Sequence, residues 1–174
     1  MNSLLKDLKL TEVTLFLEKS VISSNYKESQ FLERIEANFT RYKDKVAVKT
    51  DTNTLTYQEL DEQSNQLKSA LLNKFSKGSV IGVYMMPGAN LVISILGALR
   101  AGIIYVPLDP KQARLRLQNI AEDAQLDGVL FEEIRIEEAT ELFKNQDIFT
   151  FSSLLKKIVK KEHIFDIKKV LDNI

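Results

Sequence analysis

The chain has 174 residues, 44% hydrophobic and 28% charged, and its 24 basic residues balance 24 acidic ones. This is the composition of one globular domain, or a large piece of a bigger one. It is the profile of a soluble globular protein rather than a disordered one, and it excludes a chain drawn to nucleic acid or an anionic membrane by its overall charge.

Cysteine is absent, so there are no disulfides and no thiolate metal sites, which suits a reducing compartment. Met1 to Leu10 mixes charges with leucines and lacks the basic-then-apolar layout of a signal peptide. No apolar run is long enough to span a bilayer. The expected location is the cytoplasm.

Leu4 to Ile22 fits neither the helical nor the strand period cleanly, and residues 1–28 are read as a lead-in with some helix. From Ser29 to Tyr42, Phe31, Leu32, Ile35 and Phe39 recur at helical intervals. Val46 to Val48 reads as a short strand and Asp51 to Asn53 as a turn. Thr56-Tyr57-Gln58-Glu59 then has the form of a capping box, with Leu55 and Leu60 as a hydrophobic staple. The helix it opens buries Tyr57, Leu60, Leu67 and Leu71, and is expected to run to about Phe75, with Gly78 ending the connection.

Val80 to Met85 is nearly all apolar, as in a strand covered on both faces. Pro87-Gly88 turns the chain into Ala89 to Ala101, a helix apolar almost all the way round and so expected between layers. Gly102 stops it in a left-handed conformation, Ile103 to Val106 is the next strand, and Pro107 and Pro110 are expected to end that strand. Leu117, Ile120, Ala121 and Ala124 mark a further helix, and Asp127-Gly128 leads into Val129 to Phe131. A helix around Glu137 to Phe143, a strand at Ile148-Phe149 and a helix from Ser152 to about Lys160 complete the order. Strands alternating with helices give an α/β fold with a mostly parallel sheet and flanking helices.

Searching for chemistry in the residues yields no catalytic, cofactor-binding or metal-ligating assignment. Gly97 and Gly102 have the spacing of a phosphate loop, but Ile103 and Ile104 stand where Lys and Ser or Thr are needed, and Lys77-Gly78-Ser79 lacks the upstream glycine. His163, the single histidine, sits in a lysine-rich stretch with no partner residue types beside it and reads as a surface residue. Asp61-Glu62, Glu122-Asp123, Glu132-Glu133 and Glu137-Glu138 are neighbours that point to different sides of a helix, so they read as solvated faces. Tyr84, Met85 and Met86 fit either a pocket wall or a core strand end. The lysines from Lys156 to Lys169 lack companion aromatics and arginines, which argues against a nucleic-acid site.

Leu96-Gly-Ala-Leu-Arg-Ala-Gly-Ile-Ile-Tyr-Val-Pro-Leu-Asp-Pro110 closely resembles a core motif of the adenylation domains of nonribosomal peptide synthetases. Leu55-Thr-Tyr-Gln-Glu-Leu60, followed by Asn65-Gln66-Leu67, resembles another. Gly78 to Val83, Arg114-Leu115-Arg116 and Glu122-Asp123-Ala124 resemble family pieces in the same order, as does Arg41 to Val48, where Lys43-Asp44 replaces Pro-Asp. The likeness covers roughly residues 30–131, and its wording is closer to peptide synthetases than to acyl-CoA ligases. Lys111-Gln112-Ala113 departs from it, being shorter than the usual loop.

The resemblance implies that residues 29–174 are a partial adenylation domain, equivalent to the first portion of the large N-terminal domain. In the complete family domain, ATP and Mg²⁺ serve to activate an amino or related acid as its acyl-adenylate for a carrier protein. The family's phosphate loop, its adenine and ribose contacts and its C-terminal lysine have no counterpart in the sequence. The expectation is therefore a chain inactive alone, with no cofactor of its own, no nucleic-acid or membrane partner, and a need for the complementary remainder of the domain. Self-association is expected if apolar surface is left uncovered. The alternative is a non-catalytic binding or regulatory remnant.

Overall fold

A computed structural model describes residues 31–155. Leu4 to Ile22, His163 and the C-terminal lysines lie outside the described residues. The chain divides into two compact units after Arg41. In the first, residues 31–41 form helix α1, with Leu32 and Ile35 half-buried; Phe31, expected in the same stripe, is exposed.

The second unit opens with an antiparallel hairpin of β1 (Val46–Lys49) and β2 (Thr54–Thr56). The Thr50 hydroxyl donates to the Asn53 carbonyl and accepts from the Asn53 N–H, which closes the turn. β2 was not evident in the sequence, where Leu55 and Thr56 read only as the approach to a helix. That helix is α2 (Tyr57–Leu72). Its capping box is present: Glu59 N–H donates to Thr56 Oγ1 at 3.2 Å, and Thr56 N–H donates to Glu59 Oε2 at 2.8 Å. α2 ends at Leu72 rather than Phe75, because Asn73 to Phe75 turn back on the last carbonyls and the Phe75 ring packs edge-on against Phe149, centroids 5.4 Å apart.

A four-stranded parallel sheet follows, in the order β4-β3-β5-β6. Its strands are β3 (Val80–Tyr84), β4 (Ile104–Leu108), β5 (Gly128–Phe131) and β6 (Asp147–Thr150). The connecting helices are α3 (Ala89–Ala101), α4 (Arg114–Asp123) and α5 (Ile136–Leu142), the last preceded by a 3-10 turn at Glu133–Arg135. Residues 151–155 begin a further helix, α6.

β4 begins one residue later than expected and keeps Pro107 inside it. As an edge strand among the described residues, it has one side without a ladder to break, so a proline there costs no hydrogen bond. Asp127 fastens the central strand: its carboxylate accepts from Val80 N–H, and its own N–H donates to Val80 O, both at 2.8 Å.

Successive side chains in a strand point to opposite faces, and the two faces are covered by different helices. Tyr84, Val129 and Phe131 join Leu117 and Ala121 of α4 and Ala139 and Leu142 of α5 in one apolar cluster. Ile81 and Val83, buried on the other face, lie on the side where α3 packs on β3 and β4, with α2 packed on α3. No residue of α3 is fully exposed, as its all-round apolarity led one to expect. Gly97 sets the α2–α3 approach, since a Cβ there would lie 3.0 Å from Leu67 Cβ. Arg100 pins the same pair: its guanidinium meets the Asp61 carboxylate at 2.6 Å and the Ser64 hydroxyl at 2.7 Å. Asp61 is thus an ion-pair partner and not simply part of a solvated face. Gly102, at φ 67°, ψ 31°, ends α3 in the left-handed region.

Candidate functional site

The chain leaves β3 for β4 on one side, then returns past β3 to reach β5 on the other. Connections therefore diverge between β3 and β5, and in open parallel sheets ligands gather beyond the carboxyl ends of the strands at such a point. The three strand ends are level there, Tyr84 of β3 pairing with Leu108 of β4 and Phe131 of β5.

Tyr84 is fully buried, its ring 5.3 Å from that of Phe143 in an edge-to-face pair. The Arg135 guanidinium carbon lies 5.8 Å from the Tyr84 ring centroid, and Arg135 is itself paired with Glu138 at 3.0 Å. Burial, joined by the neighbouring Glu138 carboxylate, pushes the Tyr84 phenol up to about 12 against the weaker opposing pull of Arg135. The phenol oxygen and Arg135 Nε are buried without a hydrogen-bond partner of good geometry, and so is Oε1 of Gln112, four residues beyond the end of β4. Met85 is buried and its sulfur accepts from the Ser94 hydroxyl at 3.4 Å. Asn90 Nδ2 donates to Glu132 Oε1 at 3.0 Å, joining the start of α3 to the exit of β5. Glu133 accepts from the N–H and hydroxyl of Ser152; burial alone would raise its carboxyl, but these bonds outweigh it and hold the group below the usual range.

Tyr84 and Met85 therefore belong to the core, and Met86, half-buried, follows them. Gly97 to Gly102 is the end of α3 and no loop, so the spacing of its glycines has no phosphate-binding geometry behind it. Gly78, at φ 86°, forms a tight turn with its N–H on the Gly102 carbonyl. Four of the paired acids have structural partners: Asp61 holds Arg100, Glu132 holds Asn90, Glu133 caps α6, and Glu138 holds Arg135. Among the described residues no group of three or more His, Asp or Glu side chains is placed to hold a metal ion, and no helix is long and apolar enough to cross a membrane.

A triphosphate requires converging N–H groups and cations. The exit of β5 offers Glu132, Glu133 and Glu138 instead, with Arg135 already paired with Glu138. The cluster of Tyr84, Arg135 and Glu138 was missed in the sequence. Arg135 and Glu138 have a readable i, i+3 spacing, but Tyr84 is brought to them only by the pairing of β3 with β5.

The sequence profile of one protein family, AMP-binding enzyme, matches residues 35–171. Tyrocidine synthase 1 of Brevibacillus parabrevis is 42% identical over 101 residues, which are 58% of this chain and 9% of the synthase. Surfactin synthase subunit 3 of Bacillus subtilis (strain 168) is 36% identical over 113 residues, 64% of this chain and 8% of that protein. The chain thus spans less than a tenth of either relative. Among solved structures, the Klebsiella oxytoca NpsA N-terminal subdomain aligns with TM-score 0.63 at 20% identity, covering 70% of this chain and 31% of that one. VinN in complex with L-aspartate aligns with TM-score 0.66 at 23% identity, covering 72% and 33%. These likenesses establish the α/β fold as that of the N-terminal part of an adenylation domain.

Proposed function

Because the chain belongs to the AMP-binding enzyme family, we propose that it is the N-terminal portion of an ATP-dependent adenylation domain that activates an amino acid for nonribosomal peptide synthesis in the cytoplasm. In this reading a polypeptide bearing the rest of the domain completes it, and the activated acid passes to a carrier protein. The observation that carries the reading is the sheet itself: the family match falls on it, while its carboxyl end presents glutamates and a committed arginine where a triphosphate would need free donors. Phosphoryl and adenylyl transfer depend on such donors and on Mg²⁺ to stabilise the developing charge. This chain's share is then structural: a cap, a buried helix and a stiffened strand that hold the frame.

The test is amino-acid-dependent exchange of pyrophosphate into ATP. The isolated chain should stay at background with a mixture of amino acids. A chimera in which it replaces the equivalent stretch of the tyrocidine synthase 1 adenylation domain should exchange. Robust exchange by the isolated chain, or a folded but inactive chimera, would overturn the reading.

A further inference from the structure

A cavity of about 320 Å³ lies between the second half of α4 and the connection from α5 to β6. Its floor is apolar and buried, made by Ala121 and Leu142. Its walls are polar, with Gln118 and Glu122 contributed by α4 and Lys144, Asn145 and Gln146 by the connection. Among the described residues, Glu122 and Lys144 enter no ion pair, and the amide side chains of Gln118, Asn145 and Gln146 enter no hydrogen bond. Gln118 and Gln146 are half-buried, so their amides have given up part of their water without gaining a protein partner. The frame around these uncommitted groups is nonetheless fixed. Phe143 is fully buried against Tyr84, the Gln146 N–H donates to the Phe143 carbonyl at 3.0 Å, and the Arg114–Glu141 ion pair at 2.8 Å bridges α4 and α5.

We infer that this cavity is a binding site for a small zwitterion of the free α-amino-acid class, its ammonium on Glu122 and its carboxylate on Lys144. Opposite charges that line one cavity without meeting are satisfied together by a ligand that carries both, and charge-assisted hydrogen bonds are the strong ones. The C-terminal ends of α4 and α5 add to the pull of Glu122 on a cation, since neither helix has a basic residue in its last turn. The three amides supply further donors and acceptors, and Ala121 and Leu142 an apolar floor, the mixture common to small-molecule sites. A nucleotide is a poorer occupant, because the lining holds one cation and no aromatic ring. The cavity sits toward the amino ends of β5 and β6, since α4 leads into β5 and residues 144–146 lead into β6. It is therefore apart from the strand exits around Tyr84, an effector site that does not depend on the adenylation reading.

The experiment titrates the full, isotope-labelled chain with L-alanine and L-glutamine and follows its amide resonances. Propylamine and propionate, which carry one charge each, are the ligand controls. Glu122→Gln and Lys144→Gln each remove one charge from an exposed position, and Glu137→Gln changes an exposed carboxylate of α5 that does not line the cavity. Thermal melts of the three variants verify folding. At least one of the two amino acids should bind with a dissociation constant on the order of millimolar, with shifts centred on residues 118–122 and 144–146. Each cavity variant should weaken binding by about tenfold, Glu137→Gln should stay within about twofold of wild type, and the two singly charged compounds should bind about tenfold more weakly than the amino acid. Four results would each overturn the site: no saturable shift with either amino acid, wild-type affinity in both cavity variants, propylamine or propionate binding as tightly as the amino acid, or shifts centred on the strand exits instead. The adenylation reading is untouched by any of them, because it is decided by pyrophosphate exchange.

Discussion

Thr56 and Tyr84 show how single residues carry different burdens. Thr56 Oγ1 accepts from the Glu59 N–H and the Glu59 carboxylate accepts from the Thr56 N–H, an exchange that holds the Glu59 carboxyl below its ordinary value. Thr56→Ala should lower stability by about 1 kcal/mol, read as a reduced denaturation midpoint with an unchanged slope. The Glu59 share is present above the ordinary carboxylate range and fades as pH falls through the lowered value. Tyr84 acts at the other extreme. Its phenol titrates near 12 when folded and near 10 when unfolded, so its share of stability is intact below pH 10 and is lost as pH rises through 12. The two-unit difference amounts to roughly 2–3 kcal/mol. Tyr84→Phe should remove that part of the alkaline loss. At neutral pH it should leave the isolated chain equally stable or slightly more so, because a buried unpartnered hydroxyl disappears with it. A melt series from pH 8 to 12 checks both statements; a clear destabilisation at pH 7 would contradict the second.

At the scale of elements, the contact of α2 with α3 is the tightest point. Gly97 leaves Leu67 only the space a missing side chain provides, so Gly97→Val should cost about 1–3 kcal/mol through overpacking, measured by chemical denaturation. Helix boundaries of this kind were legible in the sequence because their signals are local. The Thr56–Glu59 box opens α2 and the left-handed Gly102 closes α3, and both are found where the residues put them. Strand boundaries were less legible because pairing decides them. β2 exists because β1 lies beside it, and β4 starts at Ile104 because Ile104 is the residue that meets Val80. The surroundings of Tyr84 were illegible for the same reason: Arg135 and Glu138 reach it only after β5 has settled against β3. The acidic pairs read as solvated faces in the sequence, which carries no sign that Asp61 and Glu138 each hold an arginine.

For the molecule as a whole, the issue is how much apolar surface stays uncovered. Leu115, Ile134 and Ile136 add to half-buried positions along α3, and covering several hundred Å² at about 25 cal/mol per Å² is worth several kcal/mol. That is comparable to the whole net stability of a domain. The isolated chain should therefore self-associate with rising concentration or melt at modest temperature, and a complementary polypeptide should raise the transition. Mass in solution across a concentration series, together with the melting curve, checks this. A monomer at high concentration with a sharp, high transition would mark an autonomous small domain instead.

Pro107 bears on the form such association can take. Ile104 N–H donates to Ser79 O of the stretch entering β3, so alternation turns residues 105 and 107 toward the outer edge of β4. Position 107 has no N–H to offer there. A strand arriving from another copy would find a gap in the row of donors along β4 and would gain little by aligning with it. β6, whose one partner strand among the described residues is β5, has no proline. Among the described residues the sheet is thus polarised as a template: β4 is the poorer edge for a further strand and β6 the better one.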